Sequence, residues 1–387
     1  MYLKSLHLRA FRNYADQQVE FNAQKTILVG NNAQGKSNLL EAVELLSTLK
    51  SHRASRDRDL ILEGAGVGQI LATLERNYGQ SELAITLRSS GRRTLARDGE
   101  PLRRQLDFLG VLNAVRFSSL DLELVRGAPE CRRNWLDALL VQLEPIYAHI
   151  LHQYYQVLRQ RNALLKDIRQ KETAAQTQES QIAKIDRDFS QLDLWDKQLA
   201  EIGSRVTRRR ARVLERLAPL AQAWHNNISG KTEILEIKYV PNIICMGNDA
   251  ASVQQAFLEK IEQRRIAEQQ LGTTVVGPHR DEVELIINQT PAKSYGSQGQ
   301  QRTLVLALKL AELKLIEEVI GESPLLLLDD VLAELDPNRQ NQLLDAIQGR
   351  FQTLITTTHL NSFDAQWLKS SQIFSVKTGK IMNSVFS

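Results

Sequence analysis

The amino-acid sequence predicts an α/β domain assembled from both ends of the chain, with a β-rich sub-lobe and an inserted helical lobe. Three observations predict it. A short apolar strand runs into a glycine-containing turn and a helix between Lys25 and Lys50. A second apolar run, Leu325 to Leu328, ends in two carboxylates near the other end of the chain. Between them, residues 130 to about 225 are dominated by Leu, Ala, Gln, Arg and Glu, the composition of helices. At 387 residues the chain is long enough for two or more lobes.

The elements follow in order. Tyr2 to Leu8 alternates as a strand does, and Phe11-Arg-Asn-Tyr14 makes a turn. The strand, turn and helix from Lys25 come next, with the helix expected over Asn38 to Lys50. Gln69 to Glu75 and Ser81 to Leu87 read as strands around Gly79, and Gly91-Arg-Arg and Asp98-Gly99 mark further turns. These place the arginine-studded β-rich sub-lobe within about residues 51–112. Pro145 and the polar stretch Gln170 to Gln181 are expected breaks in the helical lobe. A strand over residues 231–240 and a helix over Ala251 to Leu271 follow. Thr273 to Asn288 reads as two strands around Gly277-Pro-His-Arg-Asp281. A long helix then ends near Gly321, the strand Leu325 to Leu328 follows, then a helix from Pro337 and a strand from Phe351 to Thr358. The expected division is residues 1–125 with 272–387 in one domain, and 126–271 in a helical lobe with a short arm.

Composition narrows the class. Hydrophobic residues at 42% and charged residues at 24% suit a soluble globular chain. A net charge of +4 and a pI near 9.0 fit an acidic partner such as nucleic acid, and equally a soluble protein that is basic without one. Cys131 and Cys245 lie far apart with no C-x-x-C, so a disulfide scaffold or a metal finger is not expected. No signal-peptide core and no apolar run of membrane-spanning length is present, and a reduced, cytoplasmic protein is the expectation.

Chemistry concentrates in a few segments. Gly30-Asn-Asn-Ala-Gln-Gly-Lys-Ser37 fits G-x-x-x-x-G-K-[ST] between a strand and a helix, the context such a loop needs to bind ATP or GTP. Gly30 and Gly35 permit backbone conformations that aim N–H groups inward around Asn31, Asn32, Ala33 and Gln34. The helix start at Asn38 adds unpaired N–H donors. Lys36 reaches the outer phosphates, and the Ser37 hydroxyl is a Mg²⁺ ligand. Leu325 to Asp330 is apolar on both faces, as a central parallel strand must be; Asp329 supports Mg²⁺ and Asp330 polarises the attacking water. Ser297, Gln298, Gly299 and Gln300 open a helix, as a second anion site or simply as its cap. Asp336 before Pro337 is a helix cap, and His359 ends a strand, where a lone histidine is ordinarily structural or exposed. The basic helix face with Arg205, Arg208, Arg209, Arg210 and Arg212 is a weak candidate for DNA phosphates, against the plainer reading of a solvated face.

The order of these motifs resembles that of an ABC-type ATPase of the SMC-like group. Phe11-Arg-Asn-Tyr14, Leu120-Asp-Leu-Glu-Leu-Val-Arg-Gly127, Gly277-Pro-His-Arg-Asp281, Ser297-Gln-Gly-Gln-Gln-Arg302 and Leu328-Asp-Asp-Val-Leu-Ala-Glu-Leu-Asp336 sharpen this, and the chain resembles the RecF family over almost its whole length. The resemblance implies that Ser297 to Gln300 contact the γ-phosphate held by another subunit. It also implies that Asp336 belongs to the D-loop, that His359 is the switch histidine, and that Arg12 and Asn13 lie close to the nucleotide. It implies ATP and Mg²⁺ as cofactors, single-stranded and gapped or duplex DNA as ligand, and RecR, RecO and RecA as partners. The chain departs from the pattern in three places. Asp330 stands where most ABC-type ATPases have Glu, as RecF proteins also tend to. No Q-loop glutamine lies within Arg116 to Asp121, and Glu282 follows Gly-Pro-His-Arg-Asp where a second Asp is expected.

The expected mechanism is a DNA-binding ATPase of recombinational repair and replication-fork maintenance that dimerises on ATP and releases on slow, DNA-stimulated hydrolysis. Two alternatives share its motifs. An ABC transporter ATPase subunit predicts membrane association and ATPase activity indifferent to DNA. Another SMC-like DNA-tethering ATPase predicts long heptad-patterned arms, for which residues 130–225 are too few. A P-loop kinase is weaker, since Ser297 to Gln300 then have no purpose.

Overall fold

A computed structural model describes residues 1–174, 182–245, 247, 249–361 and 363–383. Its central six-stranded sheet has the order Lys380–Asn383, Ser371–Lys377, Lys25–Val29, Thr353–Thr357, Leu325–Asp329 and Ala114–Ser118. All neighbours are parallel except the edge strand Lys380–Asn383. Leu325 to Leu328 are buried, as a strand covered on both faces requires. Register aligns Val29 with Thr357, Thr356 with Asp329, and Asp329 with Ser118, so the carboxyl ends of four strands form one edge. In open α/β sheets ligands bind at such an edge. The last two strands, Ser371–Lys377 and Lys380–Asn383, have no counterpart in the sequence reading.

A second six-stranded sheet is antiparallel, in the order Tyr14–Glu20, Tyr2–Phe11, Val67–Arg76, Gly79–Arg88, Thr94–Arg97 and Glu100–Pro101. The strands of the arginine-rich segment therefore do not make a sheet of their own. Val67–Arg76 pairs along Tyr2–Phe11, whose inward Leu3, Leu6, Leu8 and Phe11 are fully buried. Two glutamines join the sheets by substituting for missing ladder bonds. Gln352 accepts from the Leu3 N–H at 2.6 Å and donates to the Leu3 carbonyl at 2.9 Å. Gln372 accepts from the Asn22 N–H at 3.0 Å and donates to the Glu20 carbonyl at 2.9 Å.

The helical lobe begins with Pro129–Leu143, breaks at Glu144 and Pro145, and continues as Ile146–Ala174. Of the break expected over Gln170 to Gln181, residues 170–174 are helical and 175–181 lie outside the described residues. The 47-residue helix Ile182–Ile228 returns antiparallel to Ile146–Ala174, spanning about 70 Å at 1.5 Å per residue. Arg161 to Asp196 at 2.7 Å bridges the two helices, and Arg209 to Glu144 at 3.1 Å ties the long helix to the break. The long helix also packs on Gln298–Ile320, tying the arm to the α/β core.

One expectation is corrected here. Residues 273–276 form no strand, because the Thr273 N–H goes to the Glu268 carbonyl and those of 274–276 to side chains instead of a ladder. Asn162 accepts from Thr274 at 2.8 Å, and Glu268 accepts from Val275 at 2.7 Å. The following segment Glu282–Ile287 is a strand, as expected, and pairs antiparallel with Leu235–Val240.

Candidate active site

The loop after Lys25–Val29 turns at the carboxyl edge of the parallel sheet and enters the helix Lys36–Thr48, two residues earlier than the sequence suggested. Gly35, at φ 118°, offers no side-chain cap, and no acidic residue occupies the first helical turn. Both features leave the helix N-terminus receptive to an anion. A Cβ on Gly30 would lie 2.4 Å from the Val376 carbonyl oxygen, so close backbone packing excludes any side chain there. Asn31, Asn32 and Ala33 are exposed on the outer rim. Lys36 is only 4% exposed, and its ammonium donates to the Gly30 and Asn31 carbonyls at 2.7 and 3.1 Å. It is held at the mouth of the loop.

Two neighbouring turns brace this loop from outside. Asn13 Nδ2 donates to the Gln34 carbonyl at 2.9 Å, the Tyr14 hydroxyl to the Gly35 carbonyl at 2.9 Å, and Asn38 Nδ2 to Asn13 Oδ1 at 2.8 Å. From the C-terminal hairpin, the Gly379 N–H donates to the Gln34 carbonyl at 3.0 Å and the Thr378 N–H to Gln34 Oε1 at 2.7 Å. Arg12, at φ 54°, forks onto buried Glu41 at 2.9 and 2.7 Å and donates to the Asp59 carbonyl at 2.8 Å. Burial pushes the Glu41 carboxyl up, but hydrogen bonds from Arg12 and Ser51 and the Arg12 charge outweigh it, so Glu41 stays below the usual carboxylate range.

The acidic strand end faces the loop. Ser37 Oγ donates to Asp329 Oδ1 at 2.6 Å, across 292 residues of sequence. The buried Thr356 hydroxyl also donates to Asp329 Oδ1, at 2.9 Å, and accepts from the Asp330 N–H at 2.9 Å. One threonine on the neighbouring strand thus holds both the Asp329 carboxylate and the Asp330 backbone. Asp330 has φ 54°, a left-handed conformation uncommon outside glycine. Burial raises its pKa, Lys36 lowers it, and Asp329 raises it; the net is upward. His359 is exposed just beyond Thr353–Thr357. Its N–H donates to Thr357 Oγ1 at 3.2 Å, and that hydroxyl donates to the His359 carbonyl at 2.8 Å.

The later motif is built as a cap. Ser297 Oγ accepts from the Gln300 N–H at 3.2 Å and Gln300 Oε1 accepts from the Ser297 N–H at 2.8 Å, a reciprocal capping box opening Gln298–Ile320. Gln298 is exposed and Gly299 half-buried. Among the described residues, no hydrogen bond joins this turn to the Gly30–Ser37 loop. Asp336 caps Pro337–Ile347 by accepting from the Arg339 N–H at 3.1 Å.

The arginine face separates into different groups. Arg210 is 1% exposed and is corrected as a DNA candidate: it forks onto Asp137 at 2.8 Å through both prongs, donates to the Pro278 carbonyl at 2.7 Å and meets Asp281 at 3.3 Å. Folding turned that side of the helix inward, where a guanidinium needs carboxylates. Arg209 is half-buried against Glu144. Arg208 is half-buried, and Arg205 and Arg212 are exposed.

Sequence reasoning missed Thr356, Glu41, Tyr14 and the hairpin turn Thr378–Gly379. Thr356 was legible as the start of Thr-Thr-Thr-His, but its role depends on strand register. The hairpin carried a signal in its Thr-Gly turn, yet nothing local ties it to a loop some 340 residues earlier.

Comparison with known proteins agrees with this geometry. The family described as the RecF/RecN/SMC N-terminal domain matches residues 2–382. The chain is 76% identical over 381 residues to the DNA replication and repair protein RecF of Gloeothece citriformis (strain PCC 7424), covering 98% of this chain and 99% of that one. It is 66% identical over 381 residues to the same-named protein of Synechocystis sp. (strain ATCC 27184 / PCC 6803 / Kazusa), covering 98% of each. Its fold is similar to the structure of the recombination mediator protein RecF-ATP in the RecFOR pathway, with a TM-score of 0.87 and 31% identity over 99% of this chain and 98% of that one. The Smc head domain from Pyrococcus furiosus shares the fold at a TM-score of 0.54 and 16% identity, covering 100% of this chain and 96% of that one. On these grounds, and with an ABC-type ATPase fold of the SMC-like kind, the chain belongs to the RecF family of DNA replication and repair proteins.

Proposed function

We propose that the chain is an ATP-driven DNA clamp of recombinational repair, with each ATP shared between two copies. The observation that carries this reading is the division of the site. Lys36, Ser37 and Asp329 converge on one loop, while Ser297 to Gln300 are held on a separate helix with no hydrogen bond to that loop. Gly30 to Asn38, with Arg12 and Asn13 beside them, take the nucleotide. The other copy's Ser297, Gln298, Gly299 and Gln300 close over its γ-phosphate, with Asp336 in the D-loop and His359 as switch histidine.

The oxygen donors suit Mg²⁺. Ser37 Oγ and Asp329 Oδ1, 2.6 Å apart beside the loop, are the hard oxygen donors that would hold it. Held by Ser37 and Asp329, Mg²⁺ would supply charge neutralisation for the phosphate oxygens of the nucleotide. Lys36 exchanges its two loop carbonyls for outer phosphate oxygens. Asp330 accepts a proton from the attacking water. Burial and the neighbouring Asp329 raise its pKa against the pull of Lys36, making it a stronger base than an ordinary Asp, while its short side chain keeps turnover slow. Since neither copy satisfies the γ-phosphate alone, ATP favours the dimer by linkage, and hydrolysis releases it.

DNA, single-stranded or duplex at gaps, is held mainly through its phosphates, with Arg205, Arg208, Arg209 and Arg212 as weak candidates. The RecFOR name of the similar structure supports partners corresponding to RecR and RecO, and loading of RecA is proposed from the family resemblance alone. The test is sedimentation of the chain with ATP and Mg²⁺, with and without gapped DNA. Dimers that need ATP, and that Lys36→Ala abolishes together with DNA retention, are expected. A monomer under every condition refutes the clamp. Membrane flotation with DNA-indifferent hydrolysis would favour a transporter subunit.

A further inference from the structure

Arg339 lies in the first turn of Pro337–Ile347, half-buried between two motifs it does not belong to. Its Nε donates to the buried Thr303 hydroxyl at 2.8 Å, and one Nη donates to the Gly299 carbonyl at 3.1 Å. The other Nη pairs with the Asp336 carboxylate, which also caps the Arg339 N–H. Each nitrogen of one rigid, planar group is therefore committed to a different acceptor. Two acceptors stand in the first turns of Gln298–Ile320, and the third is Asp336, which ends the turn after the acidic strand. The guanidinium fixes the distance and angle between those two chain segments.

We propose that Arg339 is a positioning residue that locks the Ser297–Gln300 turn to the Leu332–Asp336 turn, so that both meet a second copy's nucleotide as one preorganised unit. This rests on the two-copy reading above. Without the lock, each turn must be ordered separately when the copies meet, and that ordering is subtracted from the dimer's stability. Loop and nucleotide contacts within one copy are untouched, because Arg339 makes none of them. Lysine does not substitute. Its ammonium is a point charge on a flexible stem and cannot hold three acceptors in one plane.

The full-length chain is compared with Arg339→Gln, Arg339→Lys and Thr303→Val by three measurements. These are binding of a fluorescent ATP analogue to the single copy, the concentration midpoint of the ATP–Mg²⁺ dimer, and amide hydrogen exchange of the nucleotide-free chain. Both Arg339 variants should bind the analogue within about twofold of the parent and raise the dimer midpoint by about tenfold or more, with Thr303→Val between. Exchange should quicken in residues 297–303 and 332–339 and nowhere else. Unchanged dimerisation in Arg339→Gln, or full rescue by lysine, overturns the proposal. Should the parent itself stay monomeric with ATP, the two-copy reading fails separately. Exchange then decides Arg339 alone: faster exchange at both turns upholds the lock, and unchanged exchange refutes it.

Discussion

Gly379→Ala tests whether the C-terminal hairpin shapes the nucleotide loop. Gly379 sits at φ 72°, where a Cβ costs about 1–2 kcal/mol. That Cβ would also lie 2.1 Å from the Asn13 carbonyl oxygen, where contacts of 3.4 Å or more are ordinary. Backbone cannot swing aside as a side chain does, so the hairpin tip must withdraw. Withdrawal breaks the Gly379 N–H bond to the Gln34 carbonyl and the Thr378 N–H bond to Gln34 Oε1, at 3.0 and 2.7 Å. At about 1 kcal/mol net for each bond, the loop loses about 1–3 kcal/mol of preorganisation, or about five- to a hundredfold in ATP affinity. Calorimetric titration with a non-hydrolysable ATP analogue measures it. Gly349→Ala is the control: its φ of 69° brings the same strain, with nothing within 4 Å of the new Cβ and no contact with the loop. Affinity within twofold of Gly349→Ala would refute the hairpin's role.

Other expectations follow from the same geometry. Asp330→Asn should lower hydrolysis by about a hundredfold or more and prolong the ATP-bound dimer; unchanged turnover removes Asp330 from the chemistry. Since burial, with Asp329, raises the Asp330 pKa against the pull of Lys36, the proton-accepting form is lost at a higher pH than for an ordinary Asp. The acid limb of the kcat profile should accordingly lie above the ordinary Asp range near 3.9, and a limb at or below it contradicts the assignment. Thr356→Val removes the donor to Asp329 and the acceptor for the Asp330 N–H, and should cut hydrolysis about tenfold or more and weaken Mg²⁺ dependence while ATP still binds. Arg210→Ala leaves Asp137 and Asp281 buried without their cation and should cost about 3–5 kcal/mol in urea unfolding. Exposed Arg212→Ala should change stability by no more than about 0.5 kcal/mol, and equal effects would refute the buried assignment of Arg210.

Much of the site was legible before any coordinates. Gly30, Gly35, Lys36 and Ser37 stand at fixed spacing because one loop must wrap one phosphate chain, and that constraint is local. Leu325 to Asp330 declared a central strand because only a strand covered on both faces is apolar throughout. Pro145, Gly321 and Pro337 marked helix ends through backbone restrictions that act within a residue or two. Arg210 was misread for the complementary reason. Arginines close together on one helix look alike in sequence, and only packing decides which faces Asp137 and which faces water.

The sequence by itself determined the nucleotide loop, the acidic strand, the capped helices and the family, because each depends on short-range geometry or on motif order. Tertiary structure alone decided three things. It paired the N-terminal strand with the arginine-rich segment in one sheet. It brought Thr356 to Asp329 by parallel register. It also set Asn13 and Gly379, from opposite ends of the chain, around Gln34. These contacts join residues tens to hundreds of positions apart, and sequence periodicity carries no information about which distant segments pack together.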